Sequence, residues 1–134
     1  MKLVVNERIY LKTPDSSDLG KRIVAGSIDM IEEMGFECFT FRKLAQKIKS
    51  TEASIYRYFE SKHKLLLYIT SWYWAWMEYR LAFSLANVND PKERLNRAIQ
   101  VLTEEVKEDR TFQYINEIKL NRIVPAESSK AYFT

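Results

Sequence analysis

The sequence predicts an all-α protein, on three observations. Glycine and proline number three each in 134 residues, about a third of average usage, and β-rich folds need those residues for their turns. Apolar residues recur at helical spacing over most of the chain,. Most of these periodic stretches follow a Ser, Thr or Asp, whose side-chain oxygen can accept from the free N–H groups of a first turn. Hydrophobic residues make up 46% of the chain, and a protein of this size buries roughly 68% of its unfolded surface. That is enough for a real core.

The elements follow in order. Residues 1–14 read as an extended N-terminal arm, with Leu3, Val5, Ile9 and Leu11 in a period of two, broken by Glu7, and Lys2, Arg8 and Lys12 opposite. A frayed terminus is the competing reading. Asp15 or Ser16 is the expected cap of a first helix, whose apolar stripe is Leu19, Ile23, Val24, Ile28, Ile31 and Met34,. Gly35 stops it, because glycine accepts positive φ. Thr40 caps a short second helix reaching Ile48, with Phe41, Leu44, Ala45 and Ile48 on one face,. Lys49 and Ser50 form a turn, and Thr51 caps a third helix with Ile55 and Phe59 one turn apart inside,.

Ser61 caps a long fourth helix that runs to Ala86. Asp90 as cap, Pro91 at the first position and Glu93 at the third start a fifth,. Leu95, Ala98, Ile99, Leu102 and Val106 continue it at helical spacing. Phe112, Ile115, Ile118 and Ile123 mark a sixth helix, stopped by Pro125,.

Several chemistries are excluded. Gly20, Gly26 and Gly35 are too scattered for a glycine-rich phosphate loop,. His63 and Cys38 are single residues of their type, so no Cys/His metal site and no disulfide within the chain is available. Cys38 is expected as a small buried hydrophobe, and His63 as a surface residue. No nucleophile–base pair appears, so the chain does not read as an enzyme and calls for no cofactor. The longest uncharged run, Leu65 to Met77, is too short to span a bilayer. The N-terminus lacks the pattern of a signal peptide, and a single cysteine suits a reducing compartment. A soluble cytoplasmic protein without a membrane partner is expected.

The net charge of +3 is unevenly spread. From Thr40 to Lys64, Arg42, Lys43, Lys47, Lys49, Arg57, Lys62 and Lys64 face only Glu52 and Glu60, a net +5. From Asp15 to Phe39, six acids face Lys21 and Arg22, a net −4. A basic segment of this kind inside a balanced chain suits a polyanion such as double-stranded DNA, or else is an ordinary solvated helix face.

The basic segment coincides with two short helices around a tight turn, a helix-turn-helix braced by the first helix. In such a unit the second short helix enters the major groove and its N-terminal residues meet base edges. Thr51, Glu52, Ser54 and Arg57 face away from Ile55 and Phe59. Arg57 suits guanine, Ser54 can donate or accept, and Ala53 permits close approach or contact with a thymine methyl. Thr40, Arg42, Lys43, Tyr56 and Lys62 are the expected phosphate contacts. Tyr56 has core packing as its alternative.

The stretch FECFTFRKLAQKIKSTEASIYRYFESKHKLL resembles the DNA-binding signature of the TetR family of bacterial transcriptional regulators. The matches are Gly35-Phe36, Thr40, Leu44-Ala45, Thr51, Ser54, Ile55-Tyr56, Phe59, Ser61-Lys62 and Leu65-Leu66. The resemblance implies a three-helix DNA-binding unit with a helix-turn-helix, then a long connecting helix and part of a helical effector and dimerisation domain. It divides the chain into the arm at 1–14, the DNA-binding domain at 15–60 and the effector and dimerisation domain at 61–134. It also implies a homodimer, acting as a ligand-responsive repressor on a pseudo-palindromic operator. The sequence departs from the family in two ways. Lys49 stands where the family usually has a turn glycine, which asks a lysine to adopt a left-handed conformation at roughly 1–2 kcal/mol and adds charge near the phosphates. The family's chains are also longer, and this sequence stops where two dimer-forming helices would begin, so the last domain reads as incomplete.

Outside that unit the main feature is aromatic. Trp72, Trp76 and Tyr79 share a face of the fourth helix at i, i+4 and i+7. They are either core against the fifth and sixth helices or the wall of a pocket for a small apolar or aromatic effector, which Tyr114 joins. Tyr73 and Trp74 point elsewhere and suit a partner subunit. The alternative to a regulator is a helical ligand-binding or interaction protein that kept the fold but lost specific DNA binding, with Lys49 and Glu52 as its support.

Overall fold

The computed structural model describes residues 5–6, 8–104 and 115–132. Among them are α1 (Asp18–Met34), α2 (Phe41–Lys47), α3 (Glu52–Tyr56), α4 (Lys62–Leu85), α5 (Pro91–Thr103) and α6 (Glu117–Glu127). Short 3₁₀ turns occupy Pro14–Ser16 and Ser128–Tyr132. The described residues contain no strand, and the protein is all-α.

The helix starts follow the side chains that cap them. Thr40, Thr51, Ser61 and Asp90 accept from the N–H groups of Lys43, Ser54, Lys64 and Glu93 respectively. The first helix differs from expectation: Ser17, not Asp15 or Ser16, is its cap, accepting from the Gly20 N–H at 3.0 Å. Pro14 is buried and opens the 3₁₀ turn, which delays the helix by one or two residues. Gly20 faces that turn so closely that a Cβ there would lie 2.3 Å from the Pro14 carbonyl oxygen. At the other end Gly35 has φ 82° and donates to the Ile31 carbonyl at 2.8 Å.

The N-terminal segment is not an extended run. Residues 8–12 form a turn and bends, Val5 is buried, and Ile9 and Tyr10 pack on the core. The Leu11 N–H reaches the Tyr58 carbonyl at 2.8 Å while its side chain stays exposed. The two-residue period therefore describes no strand. The segment buries its apolar side chains by wrapping against helices.

One core joins α1 to α4. Ile23, Val24, Ile28 and Ile31 of α1 meet Leu44, Ile55, Phe59, Leu65, Leu66 and Ile69, all of them buried. Each such side chain contributes roughly 1.5–3 kcal/mol. α4 is the central element, with buried residues around most of its girth, and it packs against α1, α5, α6 and the C-terminal 3₁₀ turn.

Two expectations about the last helices are corrected. On α5 the apolar stripe does not face a core: Leu95, Ile99 and Leu102 are exposed and Val101 is the buried residue. Packing on α4 covers only that side. Pro125 does not stop α6, which continues to Glu127. Proline removes one internal hydrogen bond, but buried Leu120, Ile123 and Val124 hold this last turn in place. Val106, Phe112 and Tyr114 lie outside the described residues.

α6 also lies across the acidic side of α1. Lys119 pairs with Asp29 at 2.9 Å, Arg122 with Glu32 at 3.1 Å, and Lys130 with Glu37 at 3.2 Å. The hydrogen bond and charge of Asp29 hold the Lys119 ammonium above its ordinary pKa.

Candidate nucleic-acid interface

α2 and α3 meet around the turn at residues 48–50. Lys49 takes φ 56°, the left-handed conformation expected of it. Ser50 N–H closes the turn on the Ala45 carbonyl at 2.9 Å, and Arg22 of α1 donates to the Ile48 carbonyl at 2.8 Å. The turn is thus tied both to the helix before it and to the bracing helix.

α3 is shorter than the sequence suggests. It ends at Tyr56, with Arg57 as its C-terminal cap and Tyr58 in a turn. Ile55 and Phe59 are fully buried as expected. Thr51, Glu52, Ala53, Tyr56 and Arg57 are exposed and Ser54 is half-buried. Thr51 is occupied as the cap, and its hydroxyl and that of Ser54 hydrogen-bond each other at 2.8 Å. Glu52 lies in the first turn, where a carboxylate suits the helix dipole. The Tyr56 ring meets Phe41 edge-on at 5.0 Å and remains about half exposed. It therefore both packs and faces solvent.

Five cations on and around these helices are exposed. Among the described residues, none of Arg42, Lys43, Lys47, Lys49 and Arg57 enters an ion pair, and all five are exposed. Lys43 reaches only the Cys38 carbonyl, at 2.8 Å. Four acids of the preceding acidic stretch are engaged elsewhere, Asp18 with Arg22 and Asp29, Glu32 and Glu37 with α6 and the residues after it. The uneven charge of the sequence thereby becomes a positive surface.

Lys62 departs from its expected place at a phosphate. Its Nζ donates to the carbonyls of Phe36 and Phe39, both at 3.0 Å, and is 3.4 Å from that of Glu37. The α1–α2 link curls around the ammonium and absorbs its charge. His63 is half-buried, edge-on to the Phe36 ring at 5.2 Å. Cys38 is exposed, not buried, because Phe36 and Phe39 take the inward positions of that link.

Residues 23–69 match the family described as bacterial regulatory proteins, tetR family. This segment, about a third of the chain, is similar to that family. It spans α1 from Ile23, the two short helices, and the first two turns of α4. No curated protein and no solved structure matches the chain. No helix among the described residues is long and apolar enough to cross a membrane.

Sequence reasoning missed one residue that positions α3. Tyr58 is buried, its hydroxyl hydrogen-bonds that of Ser17, and its carbonyl accepts from Leu11. It ties the start of α1 and the N-terminal segment to the end of α3. The spacing of Tyr58 beside Phe59 gives no helical periodicity to read, since the chain has already left the helix.

Largely beyond the matched segment, the aromatic cluster separates into two groups. Trp72 and Trp76 are core, 2% and 1% exposed and stacked with centroids 6.4 Å apart. Tyr73 is also buried, with its hydroxyl donating to Asn121 at 2.7 Å, and so it does not face a partner. Trp74 does stay exposed. Burial raises the Tyr73 pKa, partly offset by the nearby Arg80 charge. A cavity of about 690 Å³ opens further along α4 and reaches α5, and of the expected effector residues only Tyr79 lines it. Tyr114 lies outside the described residues.

Proposed function

We propose that this protein is a ligand-responsive repressor that acts in the cytoplasm and binds a pseudo-palindromic operator as a homodimer. The observation that carries the reading is the set of five exposed cations on and around α2 and α3, none in an ion pair among the described residues, set beside a helix whose outward face is short or polar. Backbone phosphates supply affinity to such a surface, and base edges supply specificity. Arg57, Ser54 and Ala53 are the base-reading residues. Thr40, Arg42, Lys43, Lys49 and Tyr56 contact phosphates, and Thr51 sets the start of the reading helix. Residues 15–60 serve as the DNA-binding unit and 61–134 as the part that senses a ligand and pairs with a second copy. α4 belongs to both and carries the signal, since a ligand acts only by favouring one arrangement of the helices.

Selection of bound duplexes from a randomised pool tests this directly. An enriched inverted repeat, whose affinity falls steeply with salt, is the expected result. No enrichment, or an affinity indifferent to salt, overturns it. Sedimentation of the protein on one and on both halves of the enriched repeat tests the homodimer.

A further inference from the structure

The cavity between α4 and α5 has a wall of unusual chemistry for an apolar pocket. Tyr79, Arg80 and Phe83 line it from α4, and Arg97, Gln100 and Glu104 from α5 and its cap. Its volume of about 690 Å³ falls within the range of small-molecule sites. The rings of Tyr79 and Phe83 lie 6.5 Å apart and offer an apolar face. Two guanidinium groups line it, each ion-paired with one carboxylate, Arg80 with Glu104 and Arg97 with Glu93.

The two arginines are held in place. Arg80 lies over the buried Trp76 ring, 4.8 Å from its centre, and is ion-paired with Glu104. Arg97 is fixed by the Ser84 carbonyl at 3.3 Å and Glu93 at 3.0 Å. A preorganised guanidinium matches a carboxylate in plane and can bind it through two hydrogen bonds. Glu104 already supplies a carboxylate to Arg80 from across the cavity.

We infer that this cavity binds an organic carboxylate with an aromatic or aliphatic body. The body lies on Tyr79 and Phe83, and the carboxylate takes the place of Glu104 at Arg80 while Arg97, held by Glu93, offers further guanidinium donors from the facing wall. Glu104 is the internal competitor. Its displacement breaks the ion pair that joins the end of α5 to α4, and this regulatory consequence rests on the ligand-responsive reading above.

Calorimetry on the full chain tests the site with benzoate, 1-naphthoate and decanoate, each against its neutral amide. At least one acid should bind one per chain, and about tenfold or more tighter than its amide, as loss of a charge-assisted pair implies. Arg97→Gln should weaken that acid severalfold and leave the amide unchanged. Glu104→Gln should tighten it, because the competitor is gone. Both side chains are substantially exposed, so the fold tolerates the changes. No binding, equal binding of acid and amide, or weaker binding by E104Q overturns the proposal. Binding that leaves affinity for the selected duplex unchanged keeps the site and overturns the ligand-responsive reading alone.

Discussion

The Lys62 ammonium donates to the Phe36 carbonyl at 3.0 Å and lies 4.5 Å from the centre of the same residue's ring. One side chain at the start of α4 thus grips both the backbone and the ring of the link that leads into α2. Its charge serves the fold, and this separates it from the exposed cations nearby. Lys62→Met should lower stability by about 1.5–3 kcal/mol, the range for hydrogen bonds to a charged group, measured by urea denaturation. The slope of log affinity against log salt for DNA should stay unchanged. A slope reduced by about one would place Lys62 on a phosphate after all.

Lys49 holds φ 56° without being glycine. Lys49→Gly should therefore stabilise the protein, by about 1 kcal/mol after allowing for the greater freedom of glycine when unfolded. The same change removes an exposed charge from the positive surface around α2 and α3, so DNA affinity should fall and the salt slope should shrink. Stability and affinity moving in opposite directions is the expected signature. A loss of both would mean that lysine makes a contact on which the turn depends.

Arg57 and Arg42 are both exposed and unpaired among the described residues, yet they sit differently. Arg57 caps the end of α3 and Arg42 lies in the first turn of α2. Arg57→Ala should flatten sequence preference at one position of the site, at a cost of about 1–3 kcal/mol for the preferred duplex. Arg42→Ala should weaken all duplexes alike and lower the salt slope by about one. Competition between the selected duplex and a scrambled one measures both, and equal losses of specificity would refute the division.

Tyr73 links alkaline pH to stability. Burial holds its phenol above the ordinary pKa of 10.0, so the unfolded chain loses this proton first. Its contribution is complete below about pH 10 and is lost as pH rises toward the folded value. The raised Lys119 pKa acts in the same direction, above its ordinary 10.5. Tyr73→Phe should cost about 1 kcal/mol at pH 7 through the lost hydrogen bond to Asn121,. It should also make the decline between pH 9 and 11 shallower in urea titrations. An identical decline in both proteins would assign it to other groups.

Much of the first sixty residues was legible because the signals there are local. Thr40, Thr51 and Ser61 each cap the helix that follows, a matter of three residues of chain. Gly35 and Lys49 likewise announce positive φ by their place between periodic stretches. The errors have a different origin. Leu95, Ile99 and Leu102 show helical spacing as good as that of α1, but spacing does not say whether another helix covers the face. Tyr73 and Cys38 were each assigned the opposite side, because the inward direction of α4 and of the α1–α2 link depends on neighbours far along the chain.

The sequence alone determined the all-α class, the helix-turn-helix with its caps and the excess of positive charge, since these follow from backbone preferences and composition over a few residues. Tertiary structure decided which charges remain available. Lys119, Arg122 and Lys130 come from about ninety residues away to cover Asp29, Glu32 and Glu37, and the carbonyls around Lys62 take up its ammonium. The same long-range packing buried Trp72 and Trp76 and opened the cavity beyond them, between Arg80 and Arg97. Charge pairing and burial are properties of groups brought together by the fold, and their separation in the chain conceals them.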